Sequence, residues 1–498
     1  MRSTGPPPSD LAETHISTVA FVGDRAYKWL KPVKTGFLDH SAVGPRLRAV
    51  DRELELNRRL APDVYLATAD IVEEGEVVDR VLVMRRLPHH RRLSALVGTE
   101  EFDSALRMVA RAVAVFHSRL EPHTEPTGMA TSGGMAALWE SSFAEIEPSV
   151  GREIDREEFE SVRWLARRYL EHNDGIFERR RELGMVRDGH GDLTAEDIFI
   201  LDDGPRILDC LAFDDDLRIS DVLADIGFLA MDVHRLAGPD PARRLMGWYT
   251  EFSGESHPSS LAHHYVAYRA HIRAKIELIR HRQGVAAAAP AASTYHQLAF
   301  DHLRRAQLRL VLVGGGPGSG KTTLAHAIAD RSGWLVIGSD EVRKDLCGVP
   351  HDRHVDEAAW SGMYDRAITE RTYQTLIDQA ELSLRAGESV ILDASWTARR
   401  HRDLARAMAR RVGADLCELE CSVPAAVARL RVASRRAQGG DSSDAIPDTV
   451  DLMAARWEEW SSSERIDTEG DLNDSLRQAL GYLLSRVGPD VSSPGVAR

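Results

Sequence analysis

"LRLVLVGGGPGSGKTTLAHAIA", residues 308–329, decides the architecture of the second half of this 498-residue chain. Within it "GGPGSGKT" (315–322) matches G-x-x-x-x-G-K-[ST] in full, a coincidence expected by chance only about once in a hundred chains of this size. The apolar run "LVLV" precedes the glycines and the helix-forming run "TTLAHAIA" follows them. That order lets successive backbone N–H groups point at phosphates where a helix begins. Gly315, Gly316, Pro317, Gly318, Ser319, Gly320, Lys321, Thr322 and Thr323 are therefore candidate ATP-binding residues. In this pattern the lysine reaches the β- and γ-phosphates and the following hydroxyl is a ligand for Mg²⁺.

Working outward, "LRLVLVG", "GWLVIGSD", "SVILDAS" and "ADLCELEC" read as strands alternating with helical segments. That alternation predicts a parallel sheet with crossover helices on both faces. Asp340, Arg343 and Lys344 follow the second strand, at a carboxyl end of the sheet, where such folds bind ligands. Asp393 ends the third strand, and "VARLRVASRR" supplies Arg429, Arg431, Arg435 and Arg436. Each has a bland rival: a helix N-cap for Asp340, a strand-end cap for Asp393, a solvated helix face for the arginines.

Residues 308–470 resemble small P-loop kinases related to polynucleotide 5′-hydroxyl kinases, zeta-toxin-type kinases and gluconate or shikimate kinases. The resemblance implies catalytic roles for Lys321, for Asp340 as base towards an acceptor hydroxyl, and for Arg435 among lid arginines that stabilise transferred charge. It also implies Thr322 and Asp393 at a hydrated Mg²⁺.

The first half carries a second signature, "RDGHGDLTAEDIFILDDGPRILDC" (187–210). Kinase-like chemistry needs a carboxylate at the acceptor hydroxyl, an oxygen ligand for Mg²⁺ five residues on, and another Asp after a following strand. Asp192, Asp197 and Asp209 stand at those positions. Upstream, "HISTVAFVGDRAYKWLKPV" (15–33) reads as a hairpin around a Gly-Asp turn, "VDRELELNRRLA" (50–61) as a helix and "RVLVMRRL" (80–87) as a strand. Lys28 on the hairpin and Glu53 on the helix are the candidate ATP-holding pair, with Lys31 the alternative lysine. His190 reads as a hydrogen-bonding scaffold and His117 as a packed or capping group.

This arrangement resembles aminoglycoside phosphotransferases and fructosamine-kinase-like proteins over about residues 12–282. It is closer still to a bacterial group that joins such a domain to a P-loop kinase. That group implies "HGDLHLGN", "YKLKKPV" and "GFLDFS" where this chain has "HGDLTAED", "YKWLKPV" and "GFLDHS". Thr194 and Asp197 thus replace the implied histidine and asparagine. A carboxylate can bind Mg²⁺ as readily as an amide oxygen, but it adds negative charge beside Asp209 and the phosphates.

The implied fold is α/β and α+β, multidomain: an N-terminal bilobal protein-kinase-like domain and a C-terminal P-loop NTPase sheet. The expected boundaries are 1–285 for the kinase-like domain, with a small lobe at 12–88 and a helical lobe at 89–285. A linker at 286–305, suggested by "GVAAAAPAAS" (284–293), and a P-loop domain at 306–490 follow. The alanines also favour helix, so this stretch could instead extend the preceding helix to Pro290. The final "GPDVSSPGVAR" is expected to fray.

Composition bounds the function. A formal charge of −14 argues against nucleic-acid or anionic-membrane partners. Four scattered cysteines give no disulfide framework or zinc pattern, and Cys417 and Cys421 read as buried thiols. With no signal-like N-terminus and no long apolar run, a cytoplasmic location is expected. The expectation is an ATP- and Mg²⁺-dependent phosphotransferase with two ATP-binding domains, acting on a hydroxylated small molecule. The rivals are a single live P-loop kinase beside a ligand-binding pseudokinase, a 5′-hydroxyl polynucleotide kinase, and a non-enzymatic ATP-gated interaction protein.

Overall fold

Gly23, at φ +58°, reverses the chain at the first hairpin, a left-handed conformation open to glycine at no steric cost. The computed structural model describes residues 10–13, 16–34, 39–125, 128–350, 362–438 and 447–485. Around that turn β2 (Ser17–Val22) pairs antiparallel with β3 (Arg25–Leu30), and β1 (Asp10–Glu13) adds to the edge of β2. Helix α1 (Val43–Asn57) then leads to β4 (Tyr65–Glu73) and β5 (Glu76–Arg85), giving the strand order β1-β2-β3-β5-β4. Val50, Glu53, Leu56 and Asn57 share the buried face of α1, spaced as one side of a 3.6-residue helix requires. Val50 packs with Leu30, Val64, Tyr65 and Leu82, so burial carries Glu53 towards the sheet.

The helical part begins with α2 (Phe102–Ser118), α3 (Ser132–Ile146), α4 (Arg156–His172) and α5 (Asp174–Glu182). Two short antiparallel pairs follow: β6 (Val186–Asp188) with β9 (Ile219–Asp221), and β7 (Ile198–Leu201) with β8 (Gly204–Ile207). The short α6 (Asp215–Arg218) leads through β9 into α7 (Val222–Ala237), then α8 (Pro239–Ser253) and α9 (Ser259–Arg282). Every residue of α7 from Val222 to Val233 is buried, which makes it the central helix of its lobe.

The expected linker is largely a helix. Residues Ala288–Ala306 form α10, crossing Pro290 within its first turn, where the missing N–H costs nothing. Ala288, Ala292, Ala299 and Leu303 are buried, so alanine's helix propensity and an apolar face override the low-complexity reading.

The central strand of the second sheet is β10 (Arg309–Gly314), which alternates Leu310 and Leu312 to one face with Val311 and Val313 to the other. Its neighbours are β12 (Val390–Asp393) and β13 (Asp415–Ser422), flanked by β11 (Leu335–Gly338) and β14 (Glu464–Asp467), all parallel. The order β11-β12-β10-β13-β14 reverses direction at β10, the switch point where doubly wound sheets bind ligands. Helices α11 (Lys321–Ser332), α12 (Ser339–Cys347), α13 (Arg366–Arg385), α14 (Arg399–Val412), α15 (Ala425–Gln438), α16 (Pro447–Ala454) and α17 (Leu472–Ser485) complete this part. One face of the sheet packs Leu310, Leu312 and Leu392 with Tyr373 and Met408; the other packs Val311, Val313 and Ile391 with Leu324 and Leu476.

The chain divides into two compact units. The first comprises 1–156, 177–257 and 265–299; the second comprises 157–176, 258–264 and 300–498. Polar contacts explain why part of the helical region groups with the P-loop sheet. Arg168 pairs with Asp415 at 2.6 Å, Tyr169 Oη lies 3.1 Å from Ser260 Oγ, and the Ser260 N–H donates to Gly387 O at 3.3 Å. The expected frayed segment at 488–498 lies outside the described residues. Among the described residues no helix is long and apolar enough to cross a membrane. None of the four cysteines forms a disulfide among the described residues, and burial pushes the Cys210 and Cys421 thiols up to about 11 and about 12.

Candidate functional site

In the second unit, the loop after β10 is shaped by what surrounds it. A Cβ on Gly314 would lie 2.3 Å from the Trp460 ring, and one on Gly318, at φ +74°, would lie 2.4 Å from Ala428 O. Only glycine fits at either position. Thr468 fastens the loop from behind, its hydroxyl donating to Ser319 O at 2.6 Å. Gly320 is the N-cap of α11, so Lys321, Thr322 and Thr323 form its first turn, where free N–H groups gather.

Strand register brings the candidates together. Asp393 sits opposite Val313 of β10 on one side and Gly338 of β11 on the other. Asp393 is 6% exposed, its Oδ1 has no partner among the described residues, and the Thr322 hydroxyl hydrogen-bonds to it. Burial raises its pKa, against the opposing pull of Lys321 and the Thr322 hydrogen bond. A buried carboxylate oxygen without a partner beside a hydroxyl and an ammonium suits a hydrated cation held between protein and phosphates.

Asp340 is the second residue of α12 and close enough for its charge to act on Asp393; the N-cap is Gly338, with no side-chain capping bond. The helix-cap reading therefore has no contact behind it. Arg343 donates to Met363 O at 2.9 Å and stacks 4.4 Å over Tyr364, a packing role. Arg429 pairs with Asp451 at 2.6 Å, while Arg431 donates to Thr468 O at 2.8 Å. Both are tied to the protein itself. Arg435 and Arg436 lie on α15, but their side chains are outside the described residues. A cavity of about 330 Å³, lined by Gly320, Thr323, Arg431, Thr468 and Leu472 among others, opens beside the loop.

In the first unit, Lys28 Nζ lies 2.7 Å from Glu53 Oε1 and 3.0 Å from Asp209 Oδ1. Lys31 instead pairs with Glu13 at 3.1 Å. Burial opposes the Lys28 ammonium, yet Asp209 and Glu53 hold its pKa well above the usual lysine range. Lys28 in turn holds the Asp209 carboxyl below the usual carboxylate range. Asp209 is itself at φ +59°, an uncommon conformation outside glycine. Its N–H donates to Tyr65 Oη at 3.1 Å, and the next N–H, of Cys210, donates to Asn57 Oδ1 at 2.9 Å.

The loop carrying Asp192 is clamped by α7. Asp225 accepts from the N–H groups of His190 and Gly191 at 2.7 and 2.8 Å and from His117 Nε2 at 3.0 Å. Asp232 accepts from Ala195 N–H at 2.9 Å. Burial alone would raise the Asp225 pKa, but the hydrogen bond and charge of His117 carry it well below the carboxylate range. His190 is fully buried and its ring bonds only to backbone, donating to Leu208 O and accepting from the Asp192 N–H. It is a scaffold residue, and His117, held between Tyr249 and Asp225, is packed.

Asp192, Asp197 and Asp209 lie close enough for their charges to act on one another. Burial raises the Asp192 pKa, opposed by Arg269 and Arg273. Burial and the Asp209 charge push Asp197 up to about 8, against a hydrogen bond from Thr194. Carboxylates that cannot all ionise together suit a divalent cation with few protein ligands. No cluster of three or more His, Cys, Asp or Glu side chains able to hold a metal occurs among the described residues. Sequence reasoning missed Asp225, Asp232, Tyr65 and Asn57. The signal available for two of them was an aspartate pair seven residues apart on one helix, easily read as solvated charge.

These features define a class: a chain joining a bilobal kinase-like unit to a P-loop unit with a parallel, doubly wound sheet. More particularly, it belongs to the family of the uncharacterized protein Rv2004c of Mycobacterium tuberculosis strain H37Rv, with 37% identity over 488 residues covering 97% of each chain. Residues 310–460 match the AAA domain family. Among solved structures, the chain is similar to the GDP and kanamycin complex of an aminoglycoside phosphotransferase, APH(2")-IIIa, at 15% identity and TM-score 0.40 over 60% of this chain and 94% of that one. It is also similar to a gluconokinase from Sinorhizobium meliloti, at 19% identity and TM-score 0.27 over 36% of this chain and 93% of that one.

Proposed function

We propose that this protein is a cytoplasmic, ATP- and Mg²⁺-dependent phosphotransferase in which both units bind ATP and pass its γ-phosphate to hydroxyl groups of small molecules. The observation that carries the reading is the register of Asp393 against the strand that launches the phosphate loop, with Thr322 bonded to it and Lys321 beside it. The loop's N–H groups and Lys321 would hold the phosphates, and Thr322 and Asp393 would hold the metal. Bound Mg²⁺ supplies charge neutralisation at the transferred group. Asp340, uncommitted to a cap, would accept the proton of the attacking hydroxyl.

In the first unit, Lys28 oriented by Glu53 would hold the nucleotide phosphates. Asp197 and Asp209 would be metal ligands and Asp192 the base. One observation favours a second reading, a single live P-loop kinase with a ligand-binding first unit: Asp197 is pushed towards protonation. A nucleic-acid acceptor is disfavoured by the formal charge of −14, which would repel a phosphate backbone.

ADP release by the full chain, measured against a panel of hydroxylated metabolites, tests the proposal. Lys321→Ala and Asp192→Ala should remove separate portions of turnover, and the double variant all of it. Turnover that survives the double variant would exclude both sites.

A further inference from the structure

Helix α9 carries a buried arginine that the chemistry described so far leaves unused. Arg269 is 5% exposed, and its guanidinium lies 4.7 Å over the Phe228 ring on α7. Among the described residues, neither Nε nor Nη2 of Arg269 has a hydrogen-bond partner. A guanidinium taken out of water with donors unmet is costly, and such groups persist where an anion meets them.

Its position follows from α7. Phe228 lies one turn after Asp225, which clamps His190 and Gly191, and one turn before Asp232, which clamps Ala195. Arg269 therefore stacks on the turn between the two clamps that fix the Asp192 loop. Arg273, one turn further along α9, is hydrogen-bonded to Tyr295, with its guanidinium 5.8 Å from that ring. Asp192 and Asp232 are the carboxylates that act on it. Asp232 is already engaged by Arg235 at 2.9 Å and by the Ala195 N–H. Neither Arg269 nor Arg273 forms an ion pair with Asp192 within contact distance among the described residues. The charges of two arginines thus act on Asp192 without either forming an ion pair with it.

We propose that the acceptor of the first unit carries an anionic group, a carboxylate or a phosphate, received by Arg269 and Arg273 so that a neighbouring hydroxyl faces Asp192. The inference rests on Asp192 being the acceptor-side carboxylate. Planar guanidinium groups match carboxylate and phosphate oxygens in a forked geometry, which would orient the acceptor as well as attract it. An amino sugar or other cationic acceptor would meet two positive charges and be disfavoured.

The test uses the full chain carrying Lys321→Ala, with and without Mg²⁺ and a non-hydrolysable ATP analogue. Acetate, glycerate and gluconate are titrated by calorimetry beside glycerol and glucose. The acids are expected to bind at least about tenfold more tightly than their neutral partners. Arg269→Met, which keeps the stem over Phe228, and Arg273→Gln should each remove that preference while leaving analogue affinity within about twofold. Arg269→Met should also leave the melting temperature unchanged or raised, since it removes a buried charge.

Failure of every acid to bind, binding no tighter than glycerol or glucose, or unchanged acid binding in both variants overturns the proposal. So does a loss in the variants that falls on the nucleotide analogue instead of the acids, which would assign these arginines to phosphates of ATP. If the analogue does not bind, the nucleotide reading of the first unit fails, and the titrations without it still decide the anion site.

Discussion

Thr194 donates its hydroxyl hydrogen to Asp197 Oδ2 at 2.6 Å. These are the two positions at which the loop departs from the histidine and asparagine that its resemblance implies, and they are bonded to each other. The pair holds a carboxylate where an amide would have presented a neutral oxygen. Half-burial and the charge of Asp209 then make that carboxylate hard to ionise without a cation.

The sign of the resulting pH dependence is fixed. Asp197 has a folded pKa of about 8, above its unfolded value near 4, so the folded chain keeps a proton that the unfolded chain gives up in that window. Stability from this group is present at the acid end and lost as pH rises towards about 8. Asp197→Asn should therefore raise the metal-free melting temperature at about pH 8, by roughly 2–4 °C for each kcal/mol relieved, and leave it nearly unchanged near pH 4. In the Lys321→Ala background the same change should flatten the Mg²⁺ dependence of nucleotide affinity. Equal melting shifts at both ends of the pH range would sink the assignment.

Lys321→Ala should remove most ATP turnover by the whole chain, lowering the second unit's share by roughly 10²-fold or more, as expected when a cation aimed at transferred phosphate is lost. Steady-state ADP release reads this directly. Near-normal turnover in Lys321→Ala, with turnover lost in Asp192→Ala, would place the main activity in the first unit.

Asp340→Asn should slow phosphate transfer by a factor of roughly 10² to 10⁴ while leaving ATP affinity little changed. Because Asp340 makes no capping bond, the melting temperature should stay within about 1 °C, a surface-like response. A lower melting temperature at unchanged rate would return Asp340 to a structural role.

Asp225→Ala should destabilise the first unit by about 3 kcal/mol or more, since it strands the His190 and Gly191 N–H groups and His117 in a buried site. Denaturant unfolding measures the loss. Nucleotide binding by the first unit should fall with it, because the same carboxylate shapes the Asp192 loop. A stable variant with intact binding would refute the clamp.

Local rules carried much of this structure. The phosphate loop, the hairpin and the four strands named around them follow from glycine spacing and apolar runs. Lys28 was separable from Lys31 only by counting from the turn; in the fold Lys28 pairs with Glu53 and Lys31 with Glu13. What sequence could not supply was anything set by distant packing. Strand β14, "ERID", alternates too briefly to stand out, and β1 is four residues at an edge. The alanine stretch at 288 looked like spacer because its burial depends on residues far along the chain. Asp225 and Asp232 looked like ordinary helix charge until the loop they hold was in place.

The second unit draws on helix α4, where Arg168 donates to Gly413 O across 245 residues of chain. A ribosome adding about 5–20 residues each second would deliver Gly413 some 12–50 s after Arg168. During that interval the contacts of Arg168 with Gly413 and Asp415 cannot form. Nascent α4 is then a natural client for chaperones, and a stalled or truncated message leaves it with nowhere to go. Assembly of the second unit is thus completed only after translation has passed β14.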